Sequence, residues 1–235
     1  MKYFLENCCT RVGDAVTAQI NGAARIELCS CLDIGGITPS EELVRATLLA
    51  LAEEALQRCR VPALAGSSLP PIPVNVLVRP SGGNFVYNES EIQETIAGIE
   101  MCKRLIVKDS SGVEHKVNGV VLGALRADGG IDMAAMRRLT AAARPLHVTF
   151  HRAFDVCADV ECGLEDVIAL GCERPLTSGH EPDAFTGRFT LARLVLQAAG
   201  RIVILAGCGV RPHNIDAIAS ASGATEFHSS TLTGW

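Results

Sequence analysis

Two Glu-x-Cys motifs near the start of the chain combine the residue types and spacing that best suit chemistry. Glu6 and Cys8 form the first motif, and Glu27 and Cys29 form the second, 21 residues later. Each lies at the polar end of a short apolar run, and side chains two positions apart on a β-strand share a face. If the two strands are neighbours, about 4.8 Å apart, both thiols come within reach of one soft metal ion. The motifs therefore predict a thiolate metal site.

Further ionisable residues follow other apolar runs of the chain. Imidazole titrates near neutral pH, so His151 or His228 is a candidate general base, with the glutamate of either motif as its partner. Arg79 and Arg152 have the guanidinium fork that matches a carboxylate or a phosphate, and Asp155 lies three residues after Arg152. These residues predict an alternative function, an enzyme that acts on a small phosphorylated or carboxylated substrate by acid–base catalysis. A salt-bridge layer with no further role would also account for them.

A glycine-rich loop adds a candidate anion site. Gly207 and Gly209 follow the seventh apolar run and precede a helical pattern, and Ser178 ends the sixth run. Backbone amides in such loops hold oxyanions in many barrels. Gly207, Gly209 and Ser178 are therefore predicted to bind an anion, although a tight turn alone also explains the glycines.

Eight short apolar runs alternate with seven helical patterns along the chain. This alternation favours a parallel sheet with right-handed crossovers, and eight strands favour a closed (β/α)8 TIM-type barrel. A doubly wound open sheet is the alternative, disfavoured because no Gly-x-Gly-x-x-Gly follows the first run. In a barrel, the carboxyl ends of all strands meet at one face, which brings the residues above together.

The length and composition favour one domain spanning residues 1–235. The 235 residues, 48% of them hydrophobic, are ample for one core. Two long connections, near 58–73 and 106–118, are predicted to be surface insertions. The chain stops soon after the eighth run, so the barrel is expected to lack its final covering helix unless the sequence is a fragment. A partner subunit or the insertions would then cover that flank, and we expect a homo-oligomer.

The charge and the cysteines restrict the setting and the partners. The net charge of −5 gives no basic patch, which argues against a nucleic-acid partner. No apolar stretch approaches the roughly 18 residues of a membrane span, and Glu6 interrupts any signal-peptide core. The ten cysteines include no Cys-x-x-Cys, which excludes a zinc ribbon. We therefore expect a cytoplasmic protein with reduced thiols, no membrane partner and no evident organic cofactor.

Several ordered motifs resemble the copper homeostasis protein CutC family, from about Leu5 to Ser230. They are Arg25–Ser30, Gly35–Ser40, Val78–Pro80 with Gly82-Gly83, Val148–Asp155, Leu176–Gly179 and Gly223–His228. The resemblance implies a TIM-type barrel, a cytoplasmic setting, oligomerisation and copper handling. It also implies that Cys8 and Cys29 are Cu(I) ligands, in keeping with the preference of Cu(I) for thiolates. It implies no established catalytic reaction.

The chain departs from the family pattern at three positions. Cys31 and Cys208 stand where the family usually has glycine, and Ile34 stands where it usually has glutamate. Cys9 should point away from Cys8 on a continuing strand, so Cys31 is the better candidate for a third thiolate. Copper homeostasis is therefore the first function expected, and the enzyme is second. The two functions are compatible with each other.

Overall fold

The computed structural model describes residues 3–59 and 70–235. Within these ranges the strands are β1 (Phe4–Cys9), β2 (Arg25–Leu28), β3 (Val74–Leu77), β4 (Ile106–Lys108), β5 (Glu114–Lys116), β6 (Gly119–Leu122), β7 (His147–Phe150), β8 (Arg174–Thr177), β9 (Leu205–Ala206) and β10 (Glu226–Ser229). The α-helices are α1 (Val12–Ile20), α2 (Glu41–Cys59), α3 (Glu89–Arg104), α4 (Met133–Ala143), α5 (Val160–Ala169), α6 (Arg188–Ala198) and α7 (Ile215–Ser222). Short 3-10 helices follow β2 and β7, at Leu32–Ile34 and Arg152–Val156.

Eight of the strands close into a parallel barrel in the order β1, β2, β3, β6, β7, β8, β9, β10. The first and last strands pair in parallel, with Phe4 opposite Glu226, so the sheet has no open edge. The predicted (β/α)8 barrel is therefore confirmed. The doubly wound open sheet is excluded by the same closing pair.

The register around β1 sets the position of both Glu-x-Cys motifs. Cys8 lies opposite Glu27 on β2, and Glu6 lies opposite Arg25 on β2 and His228 on β10. The two motifs are thus on adjacent strands, as predicted. Side chains from three neighbouring strands meet inside the barrel at this point.

The core divides into an outer layer and a small inner cluster. Every residue of β2, β3, β6 and β8 is buried, because helices cover one face and the barrel interior covers the other. A large apolar cluster joins the outer strand faces to the helices. Inside the barrel, Cys8 and Cys29 form a separate cluster with Leu77 and Val121. Both thiols are therefore buried, with apolar side chains on one side of them.

One predicted insertion folds into a hairpin. Residues 106–116 contain the antiparallel pair β4 and β5, with Val107 opposite His115. Asp109 stabilises the turn, since its Oδ1 accepts hydrogen bonds from the amides of Ser111 and Val113 at 2.8 and 3.0 Å. The other predicted insertion, near 58–73, lies largely outside the described residues.

A non-helical tail follows β10 in the described part of the chain. Its Thr231 carbonyl accepts hydrogen bonds from Asn7 at 2.6 Å and from the Trp235 indole at 2.7 Å. Trp235 also packs against the large apolar cluster. The tail thus contacts β1, on the flank that the sequence predicts to lack a covering helix. No helix in the described ranges is long and apolar enough to cross a membrane.

Candidate functional site

A cavity of about 470 Å³ opens at the carboxyl ends of the barrel strands. We call it the mouth cavity. Its wall includes seven of the predicted site residues, Cys8, Glu27, Arg79, His151, Arg152, Asp155 and His228. A larger cavity of about 620 Å³ lies at the opposite end, beside Val74, Asn118 and His147, and its described wall contains none of the predicted site residues. The mouth cavity is therefore the candidate functional site.

The two predicted metal ligands are in direct contact. The sulfur atoms of Cys8 and Cys29 are 3.7 Å apart, and both residues are buried. Together with a carboxylate oxygen of Glu27, the two sulfurs lie within 4.8 Å of one another. The hydrogen bond with Cys29, together with burial, raises the pKa of the Cys8 thiol well above its usual value. The geometry suits a soft ion held between two sulfurs in an apolar setting.

A glycine allows the loop after β2 to pass close to these thiols. Gly36 has a φ of +85°, in the left-handed region, and a Cβ there would lie 3.6 Å from the Cys29 sulfur and 2.7 Å from Leu77. Any larger residue would collide with Leu77 and strain the turn. The Gly35-Gly36 pair therefore serves to bring the loop over the thiol pair.

The other nearby cysteines are less well placed. The Cys9 sulfur faces the carbonyl of Asn7 at 3.7 Å, and Cys9 belongs to the outer apolar cluster, so it points away from Cys8 as predicted. Cys31 is exposed, and the Cys208 sulfur donates to the Pro182 carbonyl at 3.2 Å. Among the described residues, the third ligand-type group beside the thiol pair is the carboxylate of Glu27.

Glu6 is fully buried and fixed by two basic side chains. It forms an ion pair with Arg25 and accepts a hydrogen bond from His228 Nδ1 at 2.8 Å. Burial alone would raise the pKa of Glu6, but the His228 hydrogen bond and the Arg25 charge lower it to about 2. Glu6 is therefore a permanent anion that orients His228. Sequence reasoning missed Arg25, although its position two residues before Glu27 indicates the same strand face.

Glu27 differs from Glu6 because no basic side chain of the described residues bonds to it, although a ring nitrogen of His228 lies within 4.8 Å of it. It is 5% exposed, and its Oε2 atom has no hydrogen-bond partner among the described residues. Burial raises the pKa of this carboxyl to about 7. A carboxyl group in the cavity wall that titrates near neutral pH is suited to accept or donate a proton.

His151 presents a hydrogen-bond donor rather than a base. Its Nδ1 accepts a hydrogen bond from the Ala153 amide at 3.2 Å, so the ring proton lies on Nε2. Burial and the nearby charge of Arg79 lower the pKa of His151 to about 3. Its buried Nε2 has no partner among the described residues. Gly123 leaves room for the ring, since a Cβ there would lie 2.8 Å from it.

Arg79 fastens two loops over the mouth. Its guanidinium donates to the carbonyls of Gly36 and Gly83 at 3.0 and 2.8 Å. It also stacks over the ring of Phe85, with the guanidinium carbon 4.7 Å from the ring centre. No carboxylate of the described residues forms an ion pair with it. These contacts make Arg79 a brace for the loops. Its buried Nε has no partner among the described residues, and its role as a substrate clamp stays a prediction.

Arg152 is the arginine that remains available at the mouth. Its Nε donates to Asp155 Oδ2 at 2.8 Å, and its side chain is 45% exposed. Asp155 is itself fixed, because its Oδ1 accepts from the Thr177 hydroxyl at 2.5 Å and the Ser178 amide at 2.9 Å. Asp155 therefore holds Arg152 in place, and the terminal nitrogens of Arg152 have no hydrogen-bond partner within the described ranges.

The predicted anion site at Gly207, Gly209 and Ser178 finds little support in these contacts. The amides of Gly207 and Ser178 donate to Thr177 and Asp155, and the Ser178 hydroxyl donates to the Glu181 carbonyl. All three residues lie outside the wall of the mouth cavity. Packing explains Gly207 instead, since a Cβ there would collide with Leu176.

Fold and site together define a TIM-type barrel protein with a thiol–carboxylate cluster at its carboxyl-terminal mouth. The model of the CutC family matches residues 3–233, and the chain belongs to this family. A relative from Parabacteroides distasonis, named family protein CutC, is 44% identical over 230 residues, which cover 98% of this chain and 83% of that protein. A relative of the same name from Xanthomonas axonopodis pv. citri is 45% identical over 226 residues, which cover 96% of this chain and 82% of that protein.

A solved structure agrees with this assignment. The crystal structure of CutC from Streptococcus agalactiae, a protein attributed to copper homeostasis, has a TM-score of 0.82 and 28% sequence identity to this chain. The alignment covers 98% of this chain and all of that one. The barrel expected from the sequence is thus the fold of a related protein.

Proposed function

We propose that this protein binds Cu(I) between Cys8 and Cys29 and serves in copper homeostasis. The contact of the two buried sulfurs at 3.7 Å carries the proposal. Thiolates are the ligands that Cu(I) prefers, and two of them at close range suffice for a low coordination number. Membership of the CutC family and the copper role attributed to the Streptococcus agalactiae relative support the assignment.

The surroundings of the thiols define how the ion would be held. Leu77 and Val121 pack against both cysteines on one side, and Cys8 faces the mouth cavity on the other. Cu(I) replaces the thiol protons when it binds, so protons leave the site as copper enters. The hard carboxylate of Glu27 is a poor Cu(I) ligand and is assigned no bond to the ion.

Copper X-ray absorption of the loaded protein tests this proposal. Anaerobic loading with one equivalent of Cu(I) is expected to give a first shell of two sulfur atoms. The Cys8→Ser, Cys29→Ser double variant should lose this signal, and Cys9→Ser should keep it because Cys9 faces the Asn7 carbonyl. A first shell of nitrogen and oxygen atoms in the unmodified protein would refute the site.

We place the protein in the cytoplasm as a homo-oligomer. All ten cysteines are unpaired, including two in contact, which supports a reducing compartment. Helix α6 carries the exposed apolar side chains Phe189 and Leu196, next to Phe185. An exposed apolar patch of this kind supports self-association.

A second function is favoured by one specific observation. The mouth cavity has a buried carboxylate oxygen on Glu27 and a buried imidazole nitrogen on His151, both without a partner in the described structure. We propose that the cavity also acts on a small anionic substrate, with Glu27 exchanging a proton and His151 donating a hydrogen bond. Incorporation of deuterium from D2O into the carbon next to a substrate carboxylate tests it by NMR. Exchange that survives Glu27→Gln would refute this role of Glu27.

A further inference from the structure

Four side chains in the wall of the mouth cavity keep polar atoms that the described structure leaves unpartnered. Nε2 of His151 and Oε2 of Glu27 belong to residues that are 4% and 5% exposed. Nε of Arg79 is likewise buried without a partner, although its other guanidinium nitrogens bind loop carbonyls. The fourth group is the terminal pair of nitrogens of Arg152, at the edge of the same cavity. Buried polar groups in folded proteins are almost always hydrogen-bonded, so an unpartnered donor and acceptor in one cavity indicate a ligand.

His151 and Glu27 indicate which functional group of a ligand enters the cavity. His151 offers a donor, because its Nδ1 is already an acceptor for the Ala153 amide. Glu27 offers an oxygen whose neighbours leave it free. A hydroxyl group matches both, since it accepts one hydrogen bond and donates another. A purely apolar ligand would leave both groups unpaired.

Arg152 indicates the charge of the ligand. Its Nε is engaged by Asp155 at 2.8 Å, and Asp155 is anchored by Thr177 and by the Ser178 amide. The guanidinium is therefore held at the cavity edge with two nitrogens available. The two free guanidinium nitrogens match the two oxygens of a carboxylate in a bidentate pair.

Apolar side chains form another part of the wall and face the carbon skeleton of a ligand. Ile34 and Val156 are 49% and 60% exposed at the rim, and Phe85 also lines the cavity. The volume of about 470 Å³ lies within the range for small-molecule pockets. A small carboxylate fits within it.

From these observations we infer that the mouth cavity binds a small hydroxylated carboxylate. Its carboxylate pairs with Arg152, and its hydroxyl group meets His151 and Glu27. The inference names the substrate class of the second function proposed above and rests on that function, but it requires neither copper nor the thiol pair.

Isothermal titration of the metal-free protein with three matched probes tests the inference. Lactate has both the charge and the hydroxyl group, propionate lacks the hydroxyl group, and lactamide lacks the charge. Lactate is expected to bind at one saturable site, and each of the other two probes is expected to bind at least about tenfold more weakly. Equal binding of lactate and propionate, or no saturable binding of lactate, would overturn the inference.

Two variants test whether lactate binds in the mouth cavity. Arg152→Gln is expected to lower the affinity for lactate at least about tenfold, because it removes a charge-assisted contact. Arg138→Gln is the matched control, since Arg138 is 44% exposed, also pairs with one carboxylate, and lies on α4 outside the cavity wall. Unchanged lactate affinity in Arg152→Gln would overturn the inference. A protein that binds phosphate through Arg152 but does not bind lactate would overturn it as well. Lactate binding without deuterium exchange would keep the ligand class and refute the catalytic function alone.

Discussion

At the scale of single residues, Glu6 and Glu27 show how two identical side chains acquire opposite properties. Glu6 contacts Arg25 and His228, and its pKa falls to about 2. Glu27 is buried with no basic side chain of the described residues bonded to it, and its pKa rises to about 7. The sequence predicts that both glutamates share a strand face with a cysteine. It does not predict this difference, because the difference depends on the register that brings Glu6 opposite both basic residues.

The raised pKa of Glu27 has a measurable effect on stability. The native carboxyl titrates near pH 7 and the unfolded one near 4.5, so the native state binds more protons between these values. Stability therefore falls as the pH rises from about 4.5 to 7, by about 3 kcal/mol in total. Glu27→Gln should remove this loss. Urea unfolding of the metal-free variant at pH 8 should give a free energy up to about 3 kcal/mol above that of the unmodified protein, and little difference at pH 4.5.

The control for this measurement is Glu94→Gln, because Glu94 is exposed on α3. It should leave the pH dependence unchanged. A Glu27→Gln variant with the same pH dependence as the unmodified protein would contradict the burial argument.

Removing the charge of Glu6 should be much more harmful. Glu6→Gln removes one of the two carboxylate charges beside the buried guanidinium of Arg25. It also replaces one acceptor oxygen by an NH2 donor, so Arg25 and His228 cannot both keep their acceptor. A loss of about 3–5 kcal/mol in the free energy of unfolding is expected. Glu165→Gln, which breaks the exposed pair with Arg201, should lower the free energy of unfolding far less, because solvent screens this pair. Equal losses in the two variants would show that burial of the Glu6 pair has no effect.

At the scale of elements, the strand and helix pattern was largely predictable, and the loops over the mouth were not. Alternating apolar runs and helical patterns identify the eight barrel strands and the seven α-helices of the described ranges. The hairpin β4–β5 was missed because its strands have only three residues each, β5 is polar, and the turn depends on Asp109. Arg79 was assigned to substrate binding because its type suits anions, whereas its hydrogen bonds go to the loop carbonyls of Gly36 and Gly83.

Packing of α3 on the barrel gives a prediction at this scale. Gly98 lies in α3 where a Cβ would be 2.8 Å from Val78, next to the brace residue Arg79. Gly98→Ala should lower the free energy of unfolding by about 1–3 kcal/mol through overpacking. Gly13→Ala in α1 is the matched control, since no atom lies within 4 Å of its added Cβ. The control should raise stability by up to about 1 kcal/mol in the same thermal or urea assay, through helix propensity. A stabilised Gly98→Ala variant would contradict the packing described.

At the scale of the whole molecule, closure of the barrel brings together residues that are far apart in the chain. Glu6 and His228 are 222 positions apart and are joined by a hydrogen bond of 2.8 Å. The sequence predicts that the strand ends share one face, but only the closed register shows which residues touch. Assembly of the molecule depends on its surface, where α6 exposes the apolar side chains of Phe189 (65% exposed) and Leu196 (79% exposed).

Self-association can be tested on this apolar surface. The unmodified protein is expected to have the mass of an oligomer in light scattering, and Leu196→Glu should shift it towards the monomer by placing a charge in the patch. Leu49→Glu on α2 changes a 39% exposed leucine elsewhere and should leave the mass unchanged. A monomeric unmodified protein at micromolar concentration would contradict the proposed homo-oligomer.

The central claim is that Cys8 and Cys29 together hold Cu(I). Competition titration against a chromogenic Cu(I) chelator tests it most directly. Three proteins are measured side by side: the unmodified protein, the Cys8→Ser, Cys29→Ser double variant, and the Cys9→Ser control. The Cu(I) affinity of the double variant should fall by more than about a hundredfold, because changes to residues that only contact the ligands typically cost about 10–100-fold. The Cys9→Ser variant should have the affinity of the unmodified protein. Equal Cu(I) affinity in the unmodified protein and the double variant would contradict the account.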